Sequence, residues 1–238
     1  MKQQSADEPI SASAETMRGT NIYWRQLSAD ELASGAHRDL IGGLWDDVGR
    51  MQFEFLRERG LQPQHRLLDL GCGALRGGLH FVRYLDVGNY YGIDINASLL
   101  EGGRIELERD GLAHRNAHLL CDAEFALTRF GQRFDRLLAV SVFTHLHLDQ
   151  IQRCLVGVAQ VLADGGVFYA TYFPAADAAA IDPITHSPGD VVSHLDRDPF
   201  HQHASAYRYL ADCAGLHLEV IGDWRHPRGQ HMLAFRKA

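Results

Sequence analysis

No two of the four cysteines (Cys72, Cys121, Cys154 and Cys213) form a C-x-x-C pair, which removes the zinc-ribbon and thioredoxin-like readings. No secretory signal precedes them, so they are expected to be buried thiols of a soluble protein in a reducing cytoplasm. No apolar run approaches the roughly 20 residues that span a bilayer, and no membrane partner is expected. Basic charge is also short. Lys and Arg number 23 against 30 Asp and Glu, a net charge of −7 with histidines neutral, which speaks against a partner held by phosphate neutralisation such as duplex nucleic acid. There is no internal repeat and no heptad run. What remains is a 238-residue chain, 46% hydrophobic and 22% charged, close to the globular average and long enough to bury a full core as one large domain.

The first 20 residues are polar and small, and a disordered tail is expected up to about Thr20. Residues 21–62 read as N-terminal helices. Ser28-Ala-Asp-Glu31 is a capping box that opens a short helix, and Leu44, Trp45, Val48, Met51, Gln52, Phe55 and Leu56 fall at helical spacing before Gly60 and Pro63 stop a second one. From 63 to 238 the pattern changes to short apolar runs alternating with helical stretches. Strands are expected at 66–70, 89–95, 117–122, 134–142 and 165–173, with helices at 75–85, 97–111 and 148–162. Residues 174–203 hold four of the seven prolines and read as a mostly irregular insertion. A helix at 205–215 and a hairpin of strands at 216–224 and 230–237 close the chain. The expected fold is α/β: a seven-stranded, mostly parallel sheet with an antiparallel terminal hairpin and helices on both faces.

LLDLGCGALRGG (67–78) joins a strand to a helix, and carries the strongest local signal. Gly71 and Gly73 let the backbone turn sharply and approach a ligand lying over the helix N-terminus. Asp94 ends the second strand 21 residues after Gly73, where a carboxylate can bind both hydroxyls of a ribose. Asp122, after the third strand, can accept from the exocyclic amine of a base. A dinucleotide fingerprint would need a third glycine where Arg76 stands, so the pyrophosphate reading is weak.

With these segments in register, the chain resembles the class I S-adenosylmethionine-dependent methyltransferases. LLDLGCG resembles that family's glycine-rich first motif and YYGIDIN its second. CDAEF is similar to its acidic adenine segment, and FDRLLAVSVFTHL and LADGGVFYATYF to its fourth- and fifth-strand segments. The resemblance runs over about 62–174 and implies the class I methyltransferase fold with S-adenosylmethionine as cofactor. It implies that Gly71, Cys72 and Gly73 meet the methionine part, Asp94 and Ile95 the ribose, and Asp122 with Ala123 the adenine. Asp69 would support the glycine loop and, with loop carbonyls, serve the ammonium. Arg76 is the candidate partner of the cofactor's carboxylate; the alternative is a pairing with a surface acid.

Methyl transfer is an in-line displacement for which the enzyme chiefly supplies orientation, and a hydroxyl or ammonium acceptor must also lose a proton. Ser141 ends the fourth strand and, with the loop 141–146, is expected to face the cofactor. His145 in that loop is the candidate general base, since an unperturbed histidine titrates near neutrality; a structural hydrogen bond is the alternative. Tyr172 can orient a substrate hydroxyl or steady the sulfonium with its ring face, or it can simply pack under the insertion. His201 and His203 with Asp196 and Asp198 match no ligand motif, and no metal is expected. Tyr23 and Trp24 belong to helices that either cover the cofactor as a lid or pack on the core. These features favour methylation of a small polar metabolite, at oxygen before nitrogen, by a monomer or homodimer. SVFT stands where base-amino DNA methylases carry an Asn-Pro-Pro-Tyr-type tetrad. Two alternatives share the cofactor motifs: cyclisation or aminocarboxypropyl transfer releasing methylthioadenosine, and a non-catalytic cofactor-binding subunit.

Overall fold

The computed structural model describes residues 21–176 and 180–238; the expected disordered tail lies outside them. A 3-10 turn at Ile22–Trp24 leads into three N-terminal helices, α1 (Ala29–Ser34), α2 (Ala36–Leu40) and α3 (Trp45–Glu58). Ser28 caps α1 with the reciprocal bonds that its spacing to Glu31 requires. The sheet then alternates with helices: β1 (Leu67–Leu70), α4 (Gly78–Tyr84), β2 (Tyr90–Asp94), α5 (Ala97–Arg109), β3 (His118–Cys121), β4 (Phe134–Ala139), α6 (Leu148–Val161) and β5 (Leu162–Pro174). After the insertion come α7 (Ala204–Cys213), β9 (Leu216–Asp223) and β10 (His231–Lys237).

The sheet order is β3-β2-β1-β4-β5-β10-β9. β1 pairs in parallel with β2 and β4, and β10 runs antiparallel between β5 and β9. Both central strands are buried along their whole length, as expected of strands covered on two faces. One face packs Ile151, Leu155 and Val158 of α6 with Tyr207 and Leu210 of α7. The other packs Phe55 and Leu56 of α3, Phe81 of α4, and Leu100 and Leu107 of α5. A Cβ on Gly78 would stand 2.6 Å from the Tyr90 hydroxyl, so only glycine lets α4 start this close to β2.

Two element bounds are corrected, and the largely irregular insertion carries short strands: β6 (Ile184–His186) and β7 (Val191–Ser193) form a hairpin, and β8 (His201–Gln202) adds a short parallel eighth strand beside the end of β5. Its local pattern has no period because these strands are two or three residues long, below the length at which alternation registers. The first core helix starts at Gly78 rather than 75, because Leu75 is held at φ +66° inside the loop. β4 ends at Ala139, and Ser141 lies beyond it in a left-handed turn.

Candidate functional site

The sheet order reverses between β1 and β4, and open α/β sheets carry their ligand crevice at the carboxyl ends of the strands flanking such a reversal. A cavity of about 970 Å³, counting its open mouth, lies there. It is floored by Asp69 and Gly71 after β1, Asp94 and Ile95 after β2, Asp122 after β3, and Ser141 after β4. Tyr23 and Ile41 cover it from the N-terminal segment, and His145 and Leu146 wall the far side.

The glycine loop turns at Gly71 (φ +67°) and Gly73 (φ +53°). A Cβ on Gly71 would stand 2.5 Å from Val142 Cγ2. Gly71 and Cys72 donate their N–H groups to Ile93 O, at 2.8 and 3.1 Å, and Gly73 donates to Asp94 Oδ2 at 2.8 Å. Three donors that could cradle a phosphate are thus engaged within the protein. This is the physical reason the pyrophosphate reading fails, beyond the arginine at the third glycine position. The Cys72 thiol is buried, which pushes its pKa well up.

Two buried carboxyls face this cavity. Asp69 accepts from the Tyr90 hydroxyl at 2.8 Å, and burial carries its pKa up to about 7. Asp94 accepts from Gly73 N and, at 2.9 Å, from Asn96 N; burial raises it to about 6 against those bonds. Neither forms an ion pair among the described residues. Two buried acids that lack an ion-pair partner, Asp69 feeling only the field of Arg76, can accept from a ligand that brings its own positive charge, as a sulfonium and an ammonium do. Arg76 is also buried, and its guanidinium falls to about 10 through burial and the nearby Arg228. Among the described residues it pairs with no surface acid; its Nη1 donates to Ile41 O at 3.3 Å and Gly43 O at 2.7 Å, holding the covering loop, and three further N–H donors remain.

Asp122 lines the cavity, yet most of its capacity shapes its own loop. Oδ1 accepts from Glu124 N and Ala126 N, and Oδ2 pairs with Arg129 at 3.1 Å. Ala123 is not among the lining residues. Ser141 lines the cavity, donates its N–H to Thr171 Oγ1 at 2.7 Å, and donates its hydroxyl to the buried Gln230. His145 also lines it. Its Nδ1 lies 2.5 Å from Asp198 Oδ1 and its Nε2 3.5 Å from the Tyr23 hydroxyl. Tyr172 is placed elsewhere. It is buried in the core against Tyr207 at 5.1 Å, outside the cavity. Strand alternation accounts for this: Thr171 turns its hydroxyl to the lining residue Ser141, and its neighbour faces the opposite way.

His201 is buried and meets Ser193, while His203 caps α7. Among the described residues no group of three or more His, Cys, Asp or Glu is spaced to hold a metal. Asn96, which the motifs did not single out, ties the N-terminal segment over the cavity by donating to Tyr23 O at 2.7 Å and Arg25 O at 2.8 Å. An asparagine just past the ribose-position acid was the only available signal.

Residues 68–168 match the family model of a methyltransferase domain. Among solved structures, the CcbJ methyltransferase of Streptomyces caelestis is similar over 91% of this chain and 98% of its own, at 18% identity and a TM-score of 0.66. Magnesium protoporphyrin IX methyltransferase of Synechocystis PCC 6803, solved with bound S-adenosylmethionine, matches over 96% and 92% at 13% identity and 0.60. The glycopeptide N-methyltransferase MtfA, complexed with S-adenosylmethionine, matches over 80% and 94% at 16% identity and 0.59. At such identities the likeness to these structures is one of fold.

Proposed function

Taking as premise that the chain is an S-adenosylmethionine-dependent methyltransferase, by its family domain and its class I fold, we propose that it methylates a small polar metabolite at a hydroxyl oxygen. The observation that carries this reading is His145, an imidazole on the cavity wall just past β4. An amine can reach the methyl carbon as its neutral form, whereas an alcohol is a poor nucleophile until a base takes its proton.

S-adenosylmethionine, when bound, supplies an electrophilic methyl group on a sulfonium. In this reading Asp69 and the loop carbonyls hold its ammonium, Arg76 its carboxylate, Asp94 with Ile95 its ribose, and Asp122 its adenine. Tyr23, Ile41 and the helices behind them close the cavity over the ligand and exclude water. His145 Nε2 receives the acceptor's proton. The net charge of −7 favours a small molecule over nucleic acid. The four cysteines are free, as in a cytoplasmic protein.

The test is mass spectrometry of the purified protein incubated with methyl-13C-labelled S-adenosylmethionine and a metabolite extract of its own cell. The expected result is extract-dependent S-adenosylhomocysteine and one compound carrying the label as a methoxy carbon. A labelled N-methyl product would overturn the assignment to oxygen. Enzyme-dependent methylthioadenosine would replace methyl transfer with cyclisation or arm transfer.

A further inference from the structure

The imidazole of His145 is held unequally at its two nitrogens. Nδ1 is 2.5 Å from Asp198 Oδ1, a short charge-assisted bond. Nε2 is 3.5 Å from the Tyr23 hydroxyl, too long for a well-formed bond, and it belongs to a residue lining the cavity. An ionised carboxylate only accepts, so the proton between the pair sits on Nδ1 and the lone pair is left on Nε2. We propose that Asp198, carried by the insertion, is the positioning residue that fixes His145 as an Nε2 base, and that this makes the site one for hydroxyl acceptors. This rests on the proposed O-methylation and names the device that performs it.

The insertion is built to hold that carboxylate in register with that ring. Phe200 donates its N–H to Thr144 O at 2.7 Å, tying the Asp198 turn to the residue next to His145. The turn closes on itself through His194 N to Pro199 O at 2.8 Å and His201 N to His194 O at 2.9 Å. Phe200 packs on the His147 ring at 4.7 Å, and β8 fastens the following residues to the end of β5. Below the turn, Ser193 Oγ bridges His186 Nε2 at 2.6 Å and His201 Nδ1 at 2.9 Å, all three residues buried. On the opposite side Tyr23 meets the His145 ring edge-on at 4.9 Å. Two segments far apart in sequence therefore converge on one imidazole, one fixing its tautomer and the other closing the space before its free nitrogen.

In the step this supports, the acceptor oxygen forms its bond to the methyl carbon as the carbon–sulfur bond breaks. That bond's electron pair stays on sulfur, and the hydroxyl proton passes to His145 Nε2. The resulting imidazolium is stabilised through Nδ1–H by the Asp198 carboxylate, which keeps its own charge.

The test begins with 15N NMR of the full-length protein saturated with S-adenosylhomocysteine, His145 being assigned by loss of its signals in His145→Gln. A neutral ring protonated on Nδ1 and bare at Nε2 is expected at mildly alkaline pH, and Asp198→Asn should abolish that fixed state. A ring protonated on Nε2, alone or together with Nδ1, overturns the proposal whatever the product. With the acceptor from the extract experiment, Asp198→Asn should lower kcat on the order of 100-fold, within the range a general base contributes, at unchanged S-adenosylmethionine affinity. Asp198→Glu should recover part of the loss, and adding Asp198→Asn to His145→Gln should cost nothing more. Unchanged kcat in Asp198→Asn, or equal and multiplying losses in the double variant, would refute it. An N-methylated product would instead retire the O-methylation reading while leaving the Nδ1–H tautomer as found, so the two failures are distinguishable.

Discussion

Asp94→Asn separates the charge of the ribose-position side chain from its shape. The wild-type carboxyl sits at about 6 against an ordinary 3.8, because burial outweighs its backbone hydrogen bonds. Between those values the folded protein holds the proton more readily than the unfolded chain. The contribution of Asp94 to stability is therefore greatest below 3.8 and lost as pH rises through about 6, a difference of about 3 kcal/mol. Asparagine removes that cost at neutral pH. It also leaves only one acceptor for the two N–H groups of Gly73 and Asn96, which costs about 1–3 kcal/mol. The two nearly cancel, so the ligand-free variant should melt within a few degrees of wild type. Affinity has no such compensation. A ribose diol donating to a carboxylate gains bonds of about 1.5–3 kcal/mol each, and losing the charge should raise the Kd for S-adenosylmethionine about 10- to 100-fold. Protonation does to the wild type what the substitution does permanently. Calorimetric titrations across pH should show wild-type affinity falling through about 7, where Asp69 protonates, and more steeply below about 6, where Asp94 follows. The variant should keep the first fall and lack the second. An Asp94→Asn protein that binds S-adenosylmethionine within twofold of wild type, or that shows both falls, would refute the reasoning.

Four further outcomes follow from the same coordinates. Arg76→Ala should weaken S-adenosylmethionine at least about tenfold, as loss of a charged hydrogen bond does, yet leave methylthioadenosine, which lacks the carboxylate, bound as before; equal losses would move Arg76 from ligand contact to loop support. Tyr172→Phe should leave turnover within about twofold, because its ring packs on Tyr207 outside the cavity; a large kcat loss in a folded variant would contradict that placement. Gly71→Ala forces a left-handed alanine at φ +67° against Val142, costing at least about 1–2 kcal/mol, and a thermal melt should register the loss together with that of cofactor binding. Glu106→Gln strips the buried carboxylate shared by His37 and Arg38, at 2.7 and 2.6 Å. Because Arg38 is 38% exposed and can be rehydrated, the substitution should lower urea-unfolding stability by about 1–3 kcal/mol. Glu106 is buried, which acts upward, but bonds from Arg38 and His37 leave its pKa lowered, so its contribution is lost as pH falls through that depressed value.

How much of this could be read in the chain depends on the distance over which each signal acts. β1 and β2 announce themselves because strands buried on both faces are apolar over most of their length, and the capping box at Ser28 because its two bonds lie within one helical turn. The cavity floor was legible for a related reason: Gly71, Gly73 and Asp94, which line it, sit at strand ends whose spacing the βαβ unit imposes. Tyr172 shows where this fails. A strand end is a location, and which way each of two adjacent residues points turns on the pleat, so of the two readings open for Tyr172 it is the packed one that matches its place against Tyr207. Asp198 shows it more sharply. It lies 53 residues beyond His145, in an irregular turn that carries no period. It reaches the ring only because Phe200 N finds Thr144 O and His201 pairs beside Phe173. Backbone bonds of that kind leave no preference for any side chain, so they leave no trace in residue type. The cofactor half of such a site is therefore written locally, in the loops that the sheet's connectivity repeats, while the acceptor half is assembled by an insertion and an N-terminal segment that meet only in the fold. That division predicts where relatives of this fold would diverge: in the turn that brings Asp198 to His145, and in the segment that brings Tyr23 to its other nitrogen.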